Sequence, residues 1–556
     1  MPPAHREFLF SHRGLAPRDQ FLERVFQILP GFLSWSILIG VTMLSFIRPL
    51  DAAVVVIAFD IFWLFRIFYM TLFLVLAYGV LAVERETDWL ERCRLLEMGE
   101  EAIQVLNKKT REALGIKRIR QWLAYRNQER ELKHVLAAKI EIPPFDSLYH
   151  LVIIAAAKED RNVLEPGLEA LAAGRFPAQR ILPVLAIEER SGSGHKEMTE
   201  ALREKYRPFF FDFLVSVHPE EVPGEAQVKG ANVTFAAKRA GEFLKERKID
   251  FENVIVSCFD ADTVASPEYF ASLTYHFMRH PKRMRASYQP IPVYHNNIWE
   301  APAFARVLEM GSSFFQLIEA TNPEKLVTFS SHSMSFKALV EVGYWPVDMV
   351  SDDSAIFWKA LIHYQGDYRV VPMYVTLSMD VVMAGTMWKT LVNVYKQKRR
   401  WAWGVENFPI VMRAFLSEKE IPILSKLRST VKLLEMHVSW ATVGFLITFI
   451  GWLPAIFAGR EFSNSVLYYN STRITSLIFN LACSTLVVTI ILSFLLLPKH
   501  KTSNPILKRL LLAMEWLLVP LVFTFLSTLP ALDAQTRLMR GQDLQFWVTE
   551  KRRVRL

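Results

Sequence analysis

Two apolar runs near the N-terminus set the strongest constraint on what this chain can fold into. The first, ILPGFLSWSILIGVTMLSFI, covers 28–47, the second covers 52–83, and the four residues RPLD separate them. A helix needs about 20 apolar residues to cross the hydrocarbon core of a bilayer. Both runs reach that length, so we predict a transmembrane helical hairpin over 28–83. Charged and aromatic residues precede the first run and a second span follows it, which argues against a cleaved signal peptide.

Three further apolar runs lie near the C-terminus. Two of them, 437–458 and 474–497, predict a second transmembrane hairpin within 431–498. The third, 510–532, is long enough to span but contains one glutamate and two prolines. We favour an interfacial or re-entrant helix there, within a C-terminal segment over 509–556, and keep a fifth crossing as the alternative.

The distribution of basic residues predicts the orientation. The N-terminal segment 1–27 contains four arginines, and four lysines or arginines follow the fourth run, whereas the connection 459–473 contains two. Basic residues concentrate on the cytosolic side of membrane proteins. We therefore expect the segment 1–27, the block between the hairpins and the basic tail EKRRVRL all to be cytosolic. A fifth crossing would place that tail outside.

Composition agrees with a membrane protein and limits the other classes. Hydrophobic residues make up 51% of the 556 residues, and the net charge is +9. The basic residues flank apolar runs and form no single stripe, so nucleic-acid binding is not expected. The three cysteines, Cys93, Cys258 and Cys483, are far apart and form no CxxC, which predicts neither a disulfide framework nor a zinc site.

Two charged residues, Asp60 and Arg66, lie inside the second apolar run. Charges at the centre of a bilayer are costly, so these side chains should face protein, water or each other. They could line a translocation path. Alternatively, the true span starts near Ile67 and leaves both residues at an interface.

The block between the hairpins divides into three parts. Residues 84–142 are charged, poor in glycine and helically spaced, which predicts a solvated helical spacer on the membrane surface. Residues 143–386 alternate short apolar runs with amphipathic stretches, which predicts an α/β domain. We expect its first strands at YHLVIIAAA and RILPVLAI, a helix at VLEPGLEALAAG between them, and NVIVSCFDAD as the third strand. Residues 387–430 are predicted to form helices at the membrane interface.

Acidic residues follow one of the predicted strands. Asp260 and Asp262 end the run VIVSCF, and open α/β sheets bind ligands at the carboxyl ends of their strands. Two carboxylates one residue apart can share a Mg²⁺ or Mn²⁺ ion that keeps positions for phosphate oxygens. A second pair, Asp352 and Asp353, starts an amphipathic helix, where the helix dipole alone favours acids. Each pattern by itself is common by chance.

The stretch YKQKRRWAWG, 395–404, clusters cations and tryptophans ahead of an apolar run. One interpretation is a membrane-surface anchor, and the other is an active site that lies against a membrane. The anchor interpretation suits Lys396, Lys398, Arg399 and Trp403.

The order of these motifs resembles that of the family 2 glycosyltransferases, in particular the membrane-embedded branch with cellulose and hyaluronan synthases. That branch has DxD, then an acidic pair ending in the general base, then QxxRW, which here is Gln397–Trp401. Three further stretches resemble its segments in the expected order: VIIAAAKEDRNVLEPGLEAL, VKGANVTFAAK and TFSSHSMSFKALVEVGYWP. FWVTEK, 546–551, resembles the FxVTxK gating loop of bacterial cellulose synthase. The resemblance covers about 143–551.

This resemblance implies a GT-A-type α/β domain with a mixed, mostly parallel sheet, joined to a transmembrane helical region. It implies an inverting transfer from a nucleotide sugar, with Asp353 as general base beside Asp352 and with Mg²⁺ or Mn²⁺ on Asp260 and Asp262. The implied donor-binding residues are Ala155, Lys158, Glu159, Glu188, Lys229, Asp260, Gln397, Arg400, Thr549 and Lys551. The implied acceptor-binding residues are Trp401, His332 and Ser333.

Several positions depart from the family pattern. Relatives end the second strand with an Asp that reads uracil, whereas here Glu188 or Glu189 must serve, which weakens the assignment of a UDP-sugar donor. His332 stands where a glycine is common. It either contacts the acceptor or is a packed histidine.

Three function classes follow from the resemblance. A processive synthase would extend a polysaccharide and export it through its own helices, and with four crossings it could need a homodimer or accessory export subunits. A non-processive transferase would add one sugar to a membrane lipid, as ceramide glucosyltransferase does. A non-catalytic transporter or scaffold is the third class. We favour the polysaccharide synthase, as an integral protein of a bacterial plasma membrane with both termini cytosolic.

Overall fold

The computed structural model describes residues 8–115, 118–457, 480–481, 484–498, 505–544 and 553. Within these residues an eight-stranded sheet carries helices on both faces, and long apolar helices pack beside this α/β domain. The domain is therefore layered as the alternation of short apolar runs and amphipathic stretches predicts.

The strand order across the sheet is β3-β2-β1-β4-β7-β6-β8-β5. The strands β1 to β4 pair in parallel, β7 is antiparallel to both of its neighbours, and β6 and β8 pair in parallel. The sheet is thus mixed and mostly parallel. The strands are β1 (Tyr149–Ala156), β2 (Ile181–Glu188), β3 (Leu214–His218), β4 (Val254–Asp260), β5 (Val264–Ala265), β6 (Ala286–Val293), β7 (Ser333–Ser335) and β8 (Arg369–Ser378).

The first two strands lie where the sequence predicts them, but the strand that ends in Asp260 is the fourth and not the third. The strand β3, LVSVH, precedes it and pairs with β2 at the sheet edge. Its five residues are half-buried and lack the long apolar run that marks β1, β2 and β4. Sequence periodicity gives no clear signal for so short an edge strand.

The helices α1 to α9 are α1 (Pro17–Ile47), α2 (Pro49–Glu84), α3 (Trp89–Met98), α4 (Glu101–Glu112), α5 (Ile119–Ala137), α6 (Arg161–Ala172), α7 (Ser193–Tyr206), α8 (Lys229–Glu246) and α9 (Tyr269–Arg279). The remaining described helices are α10 (Ala303–Ala320), α11 (Phe336–Glu341), α12 (Asp352–His363), α13 (Met387–Ala402), α14 (Asn407–Ser417), α15 (Ile423–Thr448), α16 (Leu453–Phe457), α17 (Ser484–Leu496), α18 (Pro505–Glu515), α19 (Val519–Phe523) and α20 (Leu529–Met539).

Two apolar cores lie on opposite faces of the sheet. One is built with α6 and α9, and the other with α8, α12 and α14. The first core also includes Trp89, Cys93 and Leu96 of α3, all buried. The prediction of a solvated spacer is therefore wrong for this helix, because its apolar face completes the core of the α/β domain.

By length and composition, three described helices could cross a membrane, namely Pro17–Ile47, Pro49–Glu84 and Leu507–Met539. The pair Ile423–Thr448 and Ile450–Phe457, bent by 47°, would be a fourth if it forms one span. The predicted first hairpin is thus present as two long helices joined at Arg48 alone. The return helix predicted at 474–497 is described only in part.

The two halves of α2 have different surroundings. Leu74, Ala77 and Leu81 are buried against α10 of the α/β domain. Arg66 instead forms an ion pair with Glu435 of α15. Apolar side chains after Arg66, such as Phe68 and Leu72, are also exposed. Where the span starts within α2 therefore stays a prediction.

The helical segment 505–539 runs along the α/β domain. Near its start, Glu515 pairs with Arg306 of α10 at 2.8 Å. Near its end, Asp533 pairs with Arg399 of α13 at 2.9 Å. This segment therefore contacts α10 near its start, and α13, α1 and α15 near its end.

Candidate functional site

The site lies at the carboxyl end of β4, where β1 pairs with β4 through Ala155 and Asp260. The Oδ1 atom of Asp260 is 2.7 Å from the Nζ atom of Lys229. Its Oδ2 atom accepts a hydrogen bond from the hydroxyl of Ser330 at 2.5 Å. The DxD motif therefore begins in a hydrogen-bonded cluster at the edge of the sheet predicted to bind ligands.

Lys229, the first residue of α8, joins the two acidic motifs. Its Nζ atom donates to Oδ1 of Asp353 at 2.9 Å and to Oδ2 at 3.2 Å. Burial opposes the charge of Lys229, but Asp260 and Asp353 outweigh burial and raise the pKa of this ammonium well above its ordinary value. The ammonium is thus held charged between carboxylates that lie 93 positions apart in the sequence.

The position after Lys229 has no space for a side chain, which explains why it is a glycine, Gly230. A Cβ atom built there would lie 2.1 Å from the carbonyl oxygen of Pro346 and 3.2 Å from the Cβ atom of Asp352. Any side chain would therefore push α8 away from α12. Two positions on, the amide of Asn232 donates to the carbonyl of Ala186 at 2.8 Å and ties α8 to β2.

The two acids that begin α12 have different environments. Asp352 is buried, and burial and then the charge of Asp353 raise its pKa well above the ordinary value, with Lys229 and Arg400 opposing. Asp353 keeps a quarter of its side chain exposed beside Lys229. Of the pair, Asp353 is the carboxylate that a reactant can reach.

Asp262 lies on the opposite side of the loop after β4. It is buried, and its Oδ2 atom accepts a hydrogen bond from the backbone N–H of Asp380 at 2.8 Å. The amide of Asn296 donates both to the carbonyl of Asp262 and to the carboxylate of Asp380. These contacts, which the motif alone did not predict, fix the second acid of DxD.

The acids available here fit a cation that is shared with a ligand. Among the described residues, no group of three or more His, Cys, Asp or Glu side chains could hold a metal ion by themselves. Mg²⁺ and similar ions commonly use one or two carboxylates and complete their shell with phosphate oxygens and water. Asp260 and Asp262 supply two such carboxylates.

The QxxRW motif lies on α13. Gln397 is buried, and Arg400 lies close enough to Asp352 to lower the pKa of that carboxyl. Trp401 meets Phe329 edge to face, with ring centroids 5.5 Å apart. Arg400 and Trp401 therefore lie beside the acidic cluster.

The interpretation as a membrane anchor is wrong for Lys398, Arg399 and Trp403, whereas Lys396 is exposed and its part in an anchor stays a prediction. Lys398 is buried and pairs with Glu309 of α10 at 2.8 Å. Trp403 is buried and donates to Glu406, and Arg399 pairs with Asp533. These side chains are internal contacts, since sequence alone does not show which cations of a helix are covered.

Two predicted acceptor residues lie inside the domain. Ser333, on β7, hydrogen bonds to the hydroxyls of Ser257 and Tyr269, and all three are buried. His332 is fully buried, its Nε2 atom accepts from Trp345, and its Nδ1 atom lies 3.8 Å from Asp353. Burial lowers the pKa of His332 to about 4, against the opposing charge of Asp353. This placement matches the packed-histidine alternative.

The predicted donor-binding loop after β1 is held by hydrogen bonds between its own residues. The carboxylate of Glu159 accepts from the backbone N–H groups of Ala157 at 2.7 Å and Lys158 at 3.0 Å. The exposed side chain of Lys158 remains at the sheet edge. This conformation keeps the loop next to Ala155 and hence next to Asp260.

A small cleft opens at the ends of β2 and β3. Glu188 lies in it and pairs with Arg190, which also donates to Gln227 at 2.6 Å. His218 lines the same cleft and pairs with a glutamate at 2.8 Å. Sequence reasoning identified Glu188 but missed Arg190, which lies in the turn after β2, and His218, because β3 itself was missed.

The predicted gating residues Thr549 and Lys551 lie outside the described residues. Arg553, which is described, contacts the site. It pairs with the buried carboxylate of Asp380 at 2.8 Å and donates to the carbonyl of Asp262 at 3.1 Å. The guanidinium of Arg553 thus lies against Asp380, whose backbone N–H binds the second DxD acid.

The fold and this cluster together define a glycosyltransferase domain of the GT-A type beside apolar helices that could span a membrane. Residues 255–529 match the family described as Glycosyl transferase family group 2. This part of the chain therefore matches the family that the order of the motifs predicts.

The chain is also similar in sequence to named proteins. The chain is 25% identical over 293 residues to the poly-beta-1,6-N-acetyl-D-glucosamine synthase of Staphylococcus aureus (strain MSSA476), a match that covers 52% of this chain and 61% of the relative. The enzyme of that name from Staphylococcus epidermidis is 24% identical over 250 residues, covering 43% and 55%. The chain thus spans about three fifths of the first relative's length.

Among solved structures, the mannosyltransferase PcManGT from Pyrobaculum calidifontis, in complex with GDP-Man and Mn²⁺, aligns with a TM-score of 0.33. It is 15% identical, and the alignment covers 64% of this chain and 94% of that one. Residues 1–349 of S. aureus TarS, in complex with UDP-GlcNAc, align with a TM-score of 0.33 at 13% identity, covering 71% and 93%.

Proposed function

We propose that the protein transfers a sugar, with inversion, from a nucleotide sugar to a growing polysaccharide at the membrane surface. One observation carries the proposal: the ammonium of Lys229 contacts both Asp260 and Asp353. The first DxD acid and the candidate base therefore lie within two hydrogen-bond lengths of each other. A diphosphate on one side and an acceptor hydroxyl on the other would meet there.

The roles of the residues follow from their chemistry. Asp353, the more accessible acid of its pair, would accept the proton of the acceptor hydroxyl as that oxygen attacks the anomeric carbon. A divalent cation, Mg²⁺ or Mn²⁺ on Asp260 and Asp262, would offset the negative charge that develops on the leaving diphosphate. Lys229 and Arg400 would add fixed positive charge on the same side.

The acceptor side would be formed by Trp401. A half-buried indole offers an apolar face against which a sugar ring can stack. Phe329 holds the ring edge to face, and Lys398 lies 3.5 Å from the ring centroid, so the indole is held in place by both neighbours. Such a platform at a membrane surface suits a long acceptor.

The relatives support a polymer as the product. Their names describe a synthase of a poly-N-acetylglucosamine, and the chain is similar to them over about half of its length. We therefore propose a UDP-sugar as the donor, with UDP-N-acetylglucosamine as the first candidate. Glu188 and the cleft around it would hold the nucleobase.

The packing supports a cytosolic catalytic domain with the segment 505–539 along the membrane interface. Glu515, near the start of that segment, pairs with α10 of the α/β domain, and Asp533, near its end, pairs with α13, the helix of QxxRW. A helix that crossed the bilayer would carry one end away from the domain. The helices α1, α2 and α15 would then supply the crossings beside Trp401.

The test is nucleotide release by the purified protein in lipid, with a panel of nucleotide sugars and with Mg²⁺, Mn²⁺ or a chelator. We expect turnover of one donor that needs the metal and that Asp353→Asn abolishes. Sizing of the product then separates a polymer from a single sugar on lipid. Turnover by Asp353→Asn would contradict the assignment of this residue as the base, and a single-sugar product would overturn the polymer.

A further inference from the structure

The first turn of α12 is held by residues that follow QxxRW. Ser351, immediately before Asp352, donates its backbone N–H to Oε1 of Glu406 at 2.8 Å. The first N–H groups of a helix have no partner within the helix and need one from elsewhere. Glu406 supplies that partner from the 3₁₀ turn Trp403–Glu406, which directly follows α13.

Asn407 makes a second connection to the same turn. Its side-chain amide lies 3.0 Å from the hydroxyls of Ser351 and Ser354, and 3.0 Å from the carbonyl of Gly404. Glu406 and Asn407 are both buried. The helix that carries the candidate base is thus joined to the helix that carries Arg400 and Trp401 by two adjacent polar residues.

Glu406 is itself held from two sides. Its Oε2 atom accepts from the indole N–H of Trp403 at 2.8 Å, and His12 lies 4.0 Å away. Burial raises the pKa of Glu406, while His12, Ser351 and Trp403 lower it. A buried carboxylate is costly unless both oxygens have partners, and here each oxygen accepts one N–H.

The contacts continue into the segment that precedes the first apolar helix. His12 hydrogen bonds to Glu23, whose other oxygen accepts from Arg413 of α14. Arg413 also donates to the carbonyl of Ser11 at 2.8 Å. Glu23 and Arg413 are both buried. Residues of the N-terminal segment therefore belong to the same network of hydrogen bonds as Glu406.

We propose that Glu406 is a positioning residue for Asp353, one that sets the place of the base relative to Arg400 and Trp401. This inference rests on the proposed function for the role of Asp353. Glu406 fixes the residue two positions before the base, and Thr328 donates to the carbonyl of Asp353 itself at 2.6 Å. Small displacements of a catalytic group can lower a rate about a hundredfold.

The experiment compares Glu406→Ala and Glu406→Gln in the full-length protein in lipid. We expect Glu406→Ala to lower kcat about ten- to a hundredfold with an unchanged KM for the donor. The glutamine keeps one acceptor oxygen, so it can serve Ser351, but its NH₂ group then faces the indole N–H of Trp403. Glu406→Gln should therefore recover part of kcat.

The double variant Glu406→Gln with Trp403→Phe removes that opposed pair of donors. It should recover more of kcat than Glu406→Gln alone, an outcome that a general loss of packing would not give. The matched control is Glu268→Ala, which also removes a carboxylate that accepts a backbone N–H, that of Trp89 at 3.4 Å, away from α12. The control should leave kcat unchanged.

A second readout does not depend on turnover. Amide hydrogen exchange of the peptide that spans Ser351 should be faster in Glu406→Ala than in the wild type, and unchanged in Glu268→Ala. A wild-type protein that turns over no donor would count against the proposed function alone, since exchange still tests the contact. Unchanged exchange in Glu406→Ala, wild-type kcat in that variant, or no recovery in the double variant would overturn the inference.

Discussion

Lys229 and Lys398 both form ion pairs with carboxylates, but the two sets of carboxylates differ in how far solvent can reach them. Lys229 is 10% exposed and contacts Asp260 and Asp353, which are 29% and 25% exposed. Lys398 is 2% exposed and pairs with Glu309, which is 1% exposed. One ammonium therefore joins carboxylates that a ligand can reach, whereas the other belongs to a closed pair.

The electrostatics of the two lysines differ accordingly. Burial lowers the pKa of Lys398, and Glu309 offsets only part of that effect. At Lys229 the surrounding carboxylates outweigh burial, and the pKa is raised. Lys229 therefore lies among more carboxylates than its own charge balances, whereas Lys398 and Glu309 form a one-to-one pair.

The largest effect is expected from Lys229→Met. Without the ammonium, Asp260 and Asp353 repel each other, and one of them takes up a proton at neutral pH. A protonated Asp353 cannot act as a base, and a protonated Asp260 binds a cation poorly. Nucleotide release should fall at least about a hundredfold.

The thermal midpoint of the same variant shows whether the fold survives. A folded Lys229→Met protein with wild-type turnover would show that this lysine resembles Lys398 and serves structure alone.

Glu309→Gln should act on stability first. The change leaves the buried ammonium of Lys398 without its counter-charge, which costs about 3–5 kcal/mol in comparable cases. The measurement is denaturant unfolding in detergent, with turnover per folded molecule recorded beside it.

The matched control is the double variant Lys398→Met with Glu309→Leu. Apolar side chains of similar volume replace buried ion pairs with little loss. This protein should therefore recover most of the stability. Its turnover tests the contact between Lys398 and Trp401, and wild-type turnover would show that the ion pair serves structure alone.

His332 tests how pH acts beside the functional cluster. Its pKa is lowered to about 4 in the folded protein, against an ordinary value of about 6.5. The unfolded chain therefore binds the proton first as pH falls, and stability is lost between about pH 6.5 and 4. One such group accounts for about 3 kcal/mol over that window.

The comparison protein is His332→Gln, which cannot titrate there. Wild-type stability should fall more steeply than that of His332→Gln between those pH values, and parallel curves would contradict the buried, neutral histidine.

The sequence predicts the sheet edge of the site because local patterns determine it. The runs before Asp260 and Glu188 are long and apolar, so each predicts a buried strand with an acid at its end. The helix start at Asp352 and the helix around Trp401 have the same local basis. These elements are found where they were predicted.

Burial and long-range contacts are what the sequence leaves open. Lys398 and Trp403 look like interfacial residues in the sequence, and only the packing of α10 and the turn after α13 covers them. Glu406 belongs to no motif. The polar pair Glu406 and Asn407 within the apolar stretch WGVENFPIVM could, however, have indicated buried polar contacts. The burial of Ser333 on the three-residue strand β7 also has no signal in the sequence, because periodicity cannot mark so short a strand.

The smallest change in stability is expected at a third lysine ion pair, that of Lys282 with Asp367. Lys282 is 59% exposed and lies 2.6 Å from Asp367, which is 39% exposed and also pairs with Arg285 at 3.0 Å. Exposed pairs contribute less than about 1 kcal/mol, because water screens both charges. Lys282→Met should change the unfolding free energy by less than about 1 kcal/mol and leave nucleotide release unchanged. Since Arg285 still pairs with Asp367 in this variant, a larger loss would mean that exposure does not rank the three lysines, and burial alone would then not explain why Lys229 and Lys398 differ.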